Sequence, residues 1–388
     1  MPTIALPTAE GRLAAFTTRQ PRRFPARPIR AFNRVPIAAA HVVADPLAAG
    51  DPWLDAALDW DATLAYRRHL WTLGLGVAEA MDTAQRSMGL DWQTSLALVE
   101  RSIAAAKDFP GAVLFSGAGT DHLPAGKTAT IDDIIRGYEE QIAAIERLGG
   151  RIILMASRAL AAAARGPDDY GRVYDRILGQ MREPVIIHWL GDMFDPALAG
   201  YWGQRDLDAA TAVALEIIAR NSAKIDGIKI SLLDKGREIA MRRRLPKGVR
   251  MYTGDDFNYA ELIAGEGAVH SDALLGIFDA IAPAASAALG ALAMGSDSEF
   301  HDILAPTVPL SRHIFKAPTR FYKIGIVFMA YLNGHQRHFT MIGGQQSARS
   351  LVHLAELFRL ADGASLLADP DRATDRMRAV LRVHGIDA

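Results

Sequence analysis

Asp226-Gly227-Ile228-Lys229-Ile230-Ser231-Leu232-Leu233-Asp234 carries a single cation inside an apolar, β-branched run. Ile225, Ile228, Ile230 and Leu232 surround Lys229, and charged residues bound the segment, so it reads as a buried strand. An ammonium in such a strand is costly unless it is paired or gives up its proton. A lysine held neutral is a nucleophile able to form a Schiff base with a carbonyl. The alternative is a lysine at a strand end whose ammonium reaches out to solvent.

Outward from this strand, the chain alternates apolar runs with helical periodicity. Strands are expected at residues 35–43, 76–81, 111–116, 151–156, 184–189, 225–231, 249–253 and 274–281. Between them, Trp92, Leu96, Val99 and Ile103 recur at three- and four-residue intervals. Thr130 and Asp133 form a capping-box pattern, with Asp in place of the usual Glu, and Gly149-Gly150 stops the helix that follows. Further helical runs occupy 60–73, 168–181, 207–219, 234–243 and 259–264, and from about Ala284 the pattern is helical only. Eight nearly all-apolar strands, each followed by a helix, predict an α/β fold of (β/α)8 TIM-barrel type. The expected organisation is an N-terminal arm (1–33), the barrel (34–283) and an additional C-terminal helical region (284–388). A doubly wound open sheet would need a glycine-rich phosphate loop; Gly117-Ala118-Gly119 lacks the third glycine.

The 388 residues are half apolar, with a formal net charge of -1 and no cysteine. Near-neutral charge argues against nucleic acid or an anionic membrane as partner. Absent cysteine removes disulfides, thiol nucleophiles and thiolate metal sites, and a cytoplasmic location is expected. Asp279 and Pro283 interrupt the longest apolar stretch, so no transmembrane segment is predicted.

In a barrel, reactive groups sit at the C-terminal ends of the strands. There this sequence places His41, Asp82, Thr83, Asp121, His122, His188, Lys229, Asp255, Asp256 and Asp279. His188 lies inside an apolar strand, one strand before Lys229, and is expected to point near it. Asp279 also falls within an expected strand and needs a partner, for which Lys229 is a candidate.

Three of these segments share a resemblance. Ile225 to Ser231 resembles the strand bearing the Schiff-base lysine in the dihydrodipicolinate synthase and N-acetylneuraminate lyase family. Tyr252-Thr253-Gly254-Asp255-Asp256 resembles that family's next strand end, and Pro184-Val185-Ile186-Ile187-His188 the strand that ends on its proton-relay tyrosine. The resemblance implies a class I aldolase, with Lys229 as imine-forming nucleophile and a multimer of identical chains. The relay position carries His188, which can still move protons. The family's substrate-carboxylate loop falls on Asp82-Thr83-Ala84-Gln85-Arg86, where only Thr83 matches. An acid at that place would repel a keto-acid carboxylate. The expected substrate is therefore a small carbonyl compound such as a keto-sugar or polyol derivative. Lys229, His188 and Thr83 are the candidate catalytic residues, and Asp82, Asp255, Asp256, Asp279 and His41 the candidates to hold hydroxyls, with no cofactor.

Two other readings stand beside this one. A metal-dependent sugar isomerase, epimerase or class II-type aldolase would draw divalent-metal ligands from His41, His122, His188, Asp82, Asp255 and Asp279. A non-catalytic barrel would leave Lys229 solvated and away from any pocket. Lys316, Arg320, Tyr322 and Lys323 form a cluster in the C-terminal region that reads either as a solvated helical face or as a lid over the barrel mouth.

Overall fold

Eight parallel strands close on themselves into a barrel in chain order, the last of them hydrogen-bonded to the first. Preceding them, β1 (Thr3–Pro7) and β2 (Leu13–Thr17) form an antiparallel hairpin. The barrel strands are β3 (Pro36–Ala39), β4 (Gly76–Glu79), β5 (Leu114–Ala118), β6 (Arg151–Leu154), β7 (Val185–Leu190), β8 (Ile225–Ser231), β9 (Arg250–Thr253) and β10 (Asp272–Leu275). The structure is a computed structural model, and it describes residues 1–82, 85–123, 129–267 and 269–387.

Alternation along the strands sorts side chains between two cores. Ile37, Ala39, Ala78, Phe115, Ile153, Ile186, Tyr252 and Leu274, with Met81 and Met155, fill the barrel interior. Their neighbours Ala38, Val77, Leu154, Ile187, Ile228, Ile230 and Leu275 face the surrounding helices. Both faces are buried, which is why the sequence shows continuous apolar runs. The same alternation turns His188 and Lys229 inward, and the register sets them side by side on β7 and β8.

The largest departure from expectation is the eighth strand. β10 ends at Leu275, and Ile277–Ala280 is a helix that leads into a second, Ala282–Ala293. A short apolar run does not distinguish a buried strand from a buried helix by period alone. Asp279 is therefore a helical residue. The third barrel strand also starts later than expected, because Gly111 turns with φ +84°. The Thr130 capping box forms as read: the Asp133 N–H donates to Thr130 Oγ1 at 3.1 Å, and the Thr130 N–H to Asp133 Oδ2 at 2.9 Å.

One buried ion pair fastens the first two barrel strands to the helix Trp60–Thr72. Arg67 Nε and Nη2 donate to Glu79 at 2.9 and 2.8 Å, and Arg67 Nη1 donates to the carbonyl of His41. Ser102 Oγ completes Glu79 at 2.6 Å. After the barrel, the helices Asp297–Leu304, Val308–Ile314, Lys323–Leu332, Leu351–Gly363 and Pro370–Val383 follow. The arm hairpin seats on the last two of these. Ile4 and Leu6 are buried there, Phe16 meets the edge of Phe358, and Arg359 donates to the carbonyls of Leu6 and Pro7. Among the described residues, no helix is long and apolar enough to cross a membrane.

Candidate active site

Lys229 projects into the barrel mouth from β8, and two glycines make its place. A Cβ on Gly227 would lie 2.7 Å from the Tyr252 ring, and one on Gly254 would lie 2.8 Å from Lys229 Cε and 2.2 Å from Ser231 Oγ. Among the described residues Lys229 has no ion pair; its amine meets the Met81 sulfur at 4.0 Å. Burial lowers the amine from its ordinary 10.5 to about 8, against the pull of Asp82 and Asp256, while the Lys323 charge adds to the fall. The residue as a whole is only 6 % exposed.

His188 lies next to it. Burial, and then the Lys229 charge, push the imidazole well below its usual range, so it is neutral. Its Nε2 is 3.3 Å from Ser231 Oγ, and its buried Nδ1 has no partner among the described residues. Asp256 accepts the Ile277 N–H at 2.8 Å, and burial pushes its carboxyl up to about 7 despite that bond. Asp82 completes the group. The Lys323 ammonium is 2.7 Å from Asp82 Oδ2, yet that oxygen receives no aligned hydrogen bond from any described residue. Burial, then Asp82, raise the adjoining Tyr322 phenol well above its ordinary range.

The other sequence candidates lie elsewhere or do other work. Asp255 is a loop brace: Oδ1 accepts the N–H groups of Phe257 and Asn258, and Oδ2 accepts Asn258 Nδ2. Asp279 is paired with His41 rather than with Lys229. Its carboxylate accepts the His41 N–H at 2.6 Å and lies 2.9 Å from His41 Nδ1. Burial would raise Asp279, but His41 outweighs it and holds the carboxyl at about 2. His122 contacts Gln141 and Glu140, and Asp121 is paired with Arg86. Thr83 lies outside the described residues. The six proposed metal ligands are dispersed, and no three His, Asp or Glu side chains among the described residues converge to hold an ion.

Four residues around Lys229 have no assigned part in the sequence reading: Ser231, Met81, Gly254 in its steric role, and Lys323 as the ion-pair partner of Asp82. Ser231 was legible in principle, since it lies two residues after Lys229 and so shares its face of the strand. Lys323 belonged to a noted cluster, but nothing in sequence places that cluster against Asp82.

A comparison with curated proteins finds no match. Solved structures share the fold. A dihydrodipicolinate synthase from Oceanobacillus iheyensis superimposes with TM-score 0.59 and 15% identity, over 85% of this chain and 96% of that one. The 4-hydroxy-tetrahydrodipicolinate synthase from Methylacidiphilum fumariolicum SolV gives 0.63 and 13%, over 88% and 99%. A prophage protein of the dihydrodipicolinic acid synthase family from E. coli K12, in complex with pyruvate, gives 0.65 and 15%, over 86% and 99%. The fold likeness agrees with the resemblance carried by the three motifs. A family model matches residues 4–386 from end to end, and the chain belongs to that family, described as a protein of unknown function (DUF993).

Proposed function

We propose that the protein is a Schiff-base-forming lyase or aldolase acting on a small, uncharged, hydroxylated carbonyl compound. One observation carries the reading: a buried, unpaired lysine in a barrel mouth, with its amine lowered to about 8. The amine adds to the carbonyl carbon, a proton moves to the carbonyl oxygen, and water leaves as the C=N bond forms. Once protonated, the imine accepts the electron pair of the adjacent carbon–carbon bond as it breaks, giving an enamine and a released aldehyde. The hydroxyl proton lost in that step goes to a base, a role we assign to neutral His188, whose Nε2 lies 3.3 Å from Ser231 Oγ. Protonation of the enamine carbon and addition of water then free the second product and Lys229. Asp82 and Asp256 are the carboxyl groups beside Lys229 that we assign to substrate hydroxyls.

The charge pattern supports an uncharged substrate. Arg86, in the segment aligned with a carboxylate-binding loop, is turned to Asp121 and to the carbonyls of Ala80 and Gly117. The mouth otherwise holds two carboxyl groups, Asp82 and Asp256, and a lysine already paired. The test is borohydride trapping with dihydroxyacetone, erythrulose and pyruvate in parallel, read by peptide mass. Hydroxylated ketones should label Lys229 and Lys229→Ala should lose all turnover. Labelling by pyruvate alone overturns the substrate class, and a turning-over alanine variant overturns the chemistry.

A further inference from the structure

Lys323 begins the helix Lys323–Leu332, well beyond the last barrel strand, yet its side chain is wholly buried in the mouth. Its ammonium donates to the carbonyl of Ala39, the last residue of β3, at 2.7 Å, and stands 2.7 Å from Asp82 Oδ2. Tyr322 stacks on Phe315 at 4.4 Å and meets the edge of Phe194 at 6.1 Å, shielding the pair. Ordering a four-carbon stem at both ends costs rotamer freedom, and burying its charge costs solvation. That expense makes physical sense if the pair changes something nearby.

The groups facing Lys229 are Asp82, Asp256, His188 and Lys323. Asp82 is the strongest of them in favouring a charged Lys229. Freed from Lys323, its carboxylate would act on the Lys229 amine it already faces, and that amine is the nucleophile. We propose that Lys323 is a positioning residue: by pairing with Asp82 and anchoring on Ala39, it withholds that carboxylate from Lys229 and keeps the nucleophilic amine free. The C-terminal region is then part of the active site rather than an appendage. This inference rests on Lys229 being the nucleophile of the proposed reaction.

The test uses full-length protein and a probe that reads the free amine whatever the substrate: formaldehyde with cyanoborohydride, followed as methylation of Lys229 by peptide mass across pH. In the wild type, labelling should be half-maximal near 8. Lys323→Met should move that midpoint upward by about one unit or more, slowing labelling roughly tenfold at neutral pH and restoring it at high pH. Lys323→Arg, which keeps the charge, should recover most of the loss. Asp82→Asn combined with Lys323→Met should return the midpoint to near the wild-type value, since the carboxylate that captures Lys229 is gone. An unchanged midpoint in Lys323→Met overturns the proposal, as does labelling lost equally at every pH in a folded variant. So does a double variant no different from Lys323→Met, or a wild-type Lys229 that formaldehyde never labels. If Lys323→Met does not fold, the arginine and double variants decide by the same midpoints. Formaldehyde labelling with this pattern, alongside failed trapping by every ketone, would sink the proposed reaction and leave the role of Lys323 supported.

Discussion

Replacing Lys229 with methionine should make the protein more stable. Methionine keeps an unbranched stem of similar length and removes the amine. The fall from 10.5 to about 8 corresponds to roughly 3 kcal/mol held against the protonated folded state. Between about 8 and 10.5 the unfolded chain binds a proton that the folded chain has released, so stability rises with pH across that window. Below about 8 both states carry the proton and the whole penalty is present; above about 10.5 neither does. Lys229→Met should therefore gain roughly 3 kcal/mol near neutral pH, and the gain should fade at about pH 10 and above. Urea unfolding of both proteins near pH 7 and near pH 10.5, followed by tryptophan fluorescence, measures it. A variant no more stable at neutral pH, or one whose gain is the same at both pH values, would show that the amine is solvated or paired, and the argument for its reactivity would go with it.

Three other substitutions test separate parts of the structure. Gly254→Ala places a methyl 2.2 Å from Ser231 Oγ and 2.8 Å from Lys229 Cε; it should slow trapping at Lys229 at least about tenfold while costing about 1–3 kcal/mol in thermal unfolding. Arg67→Met leaves Glu79 buried and charged without its bidentate partner, and should cost about 3–5 kcal/mol by denaturant unfolding, relieved by adding Glu79→Gln. Thr130→Ala removes the bond from the Asp133 N–H to Thr130 Oγ1 and leaves the one from the Thr130 N–H to Asp133 Oδ2; it should cost about 1 kcal/mol with no effect on trapping.

The barrel was legible because its strands are buried on both faces and punctuated by turn residues, a pattern that survives in a single sequence. It failed where the physics is ambiguous. Leu274 to Ile281 is apolar except for Asp279 and too short to separate period 2 from period 3.6, so the switch from β10 to the helix Ile277–Ala280 left no periodic trace. That error carried Asp279 toward Lys229 on paper, whereas the structure gives it to His41. Lys229 and His188 stood out because polar residues inside apolar strands demand explanation. Asp255 and Asp256 are neighbours of identical type, and only coordinates show one bracing a loop and the other facing the lysine. The cluster holding Lys323 could be read as a lid, but its pairing with Asp82 was out of reach: Lys323 lies 94 positions after Lys229 in the chain, and neither periodicity nor local spacing spans that separation.

The hairpin of β1 and β2 is made long before the helices that hold it, because Phe358, Arg359 and Arg378 form its berth. As the polypeptide is synthesised, the barrel wall can close while its opening segment still waits for the final helices to emerge. Nascent chains arrested before residue 350 should thus be cut by protease between residues 3 and 17, and chains that include the last two helices should resist. The same berth ties the hairpin to the helical layer that delivers Lys323, so deleting residues 3–17 should loosen the rim of the mouth before it disturbs the wall.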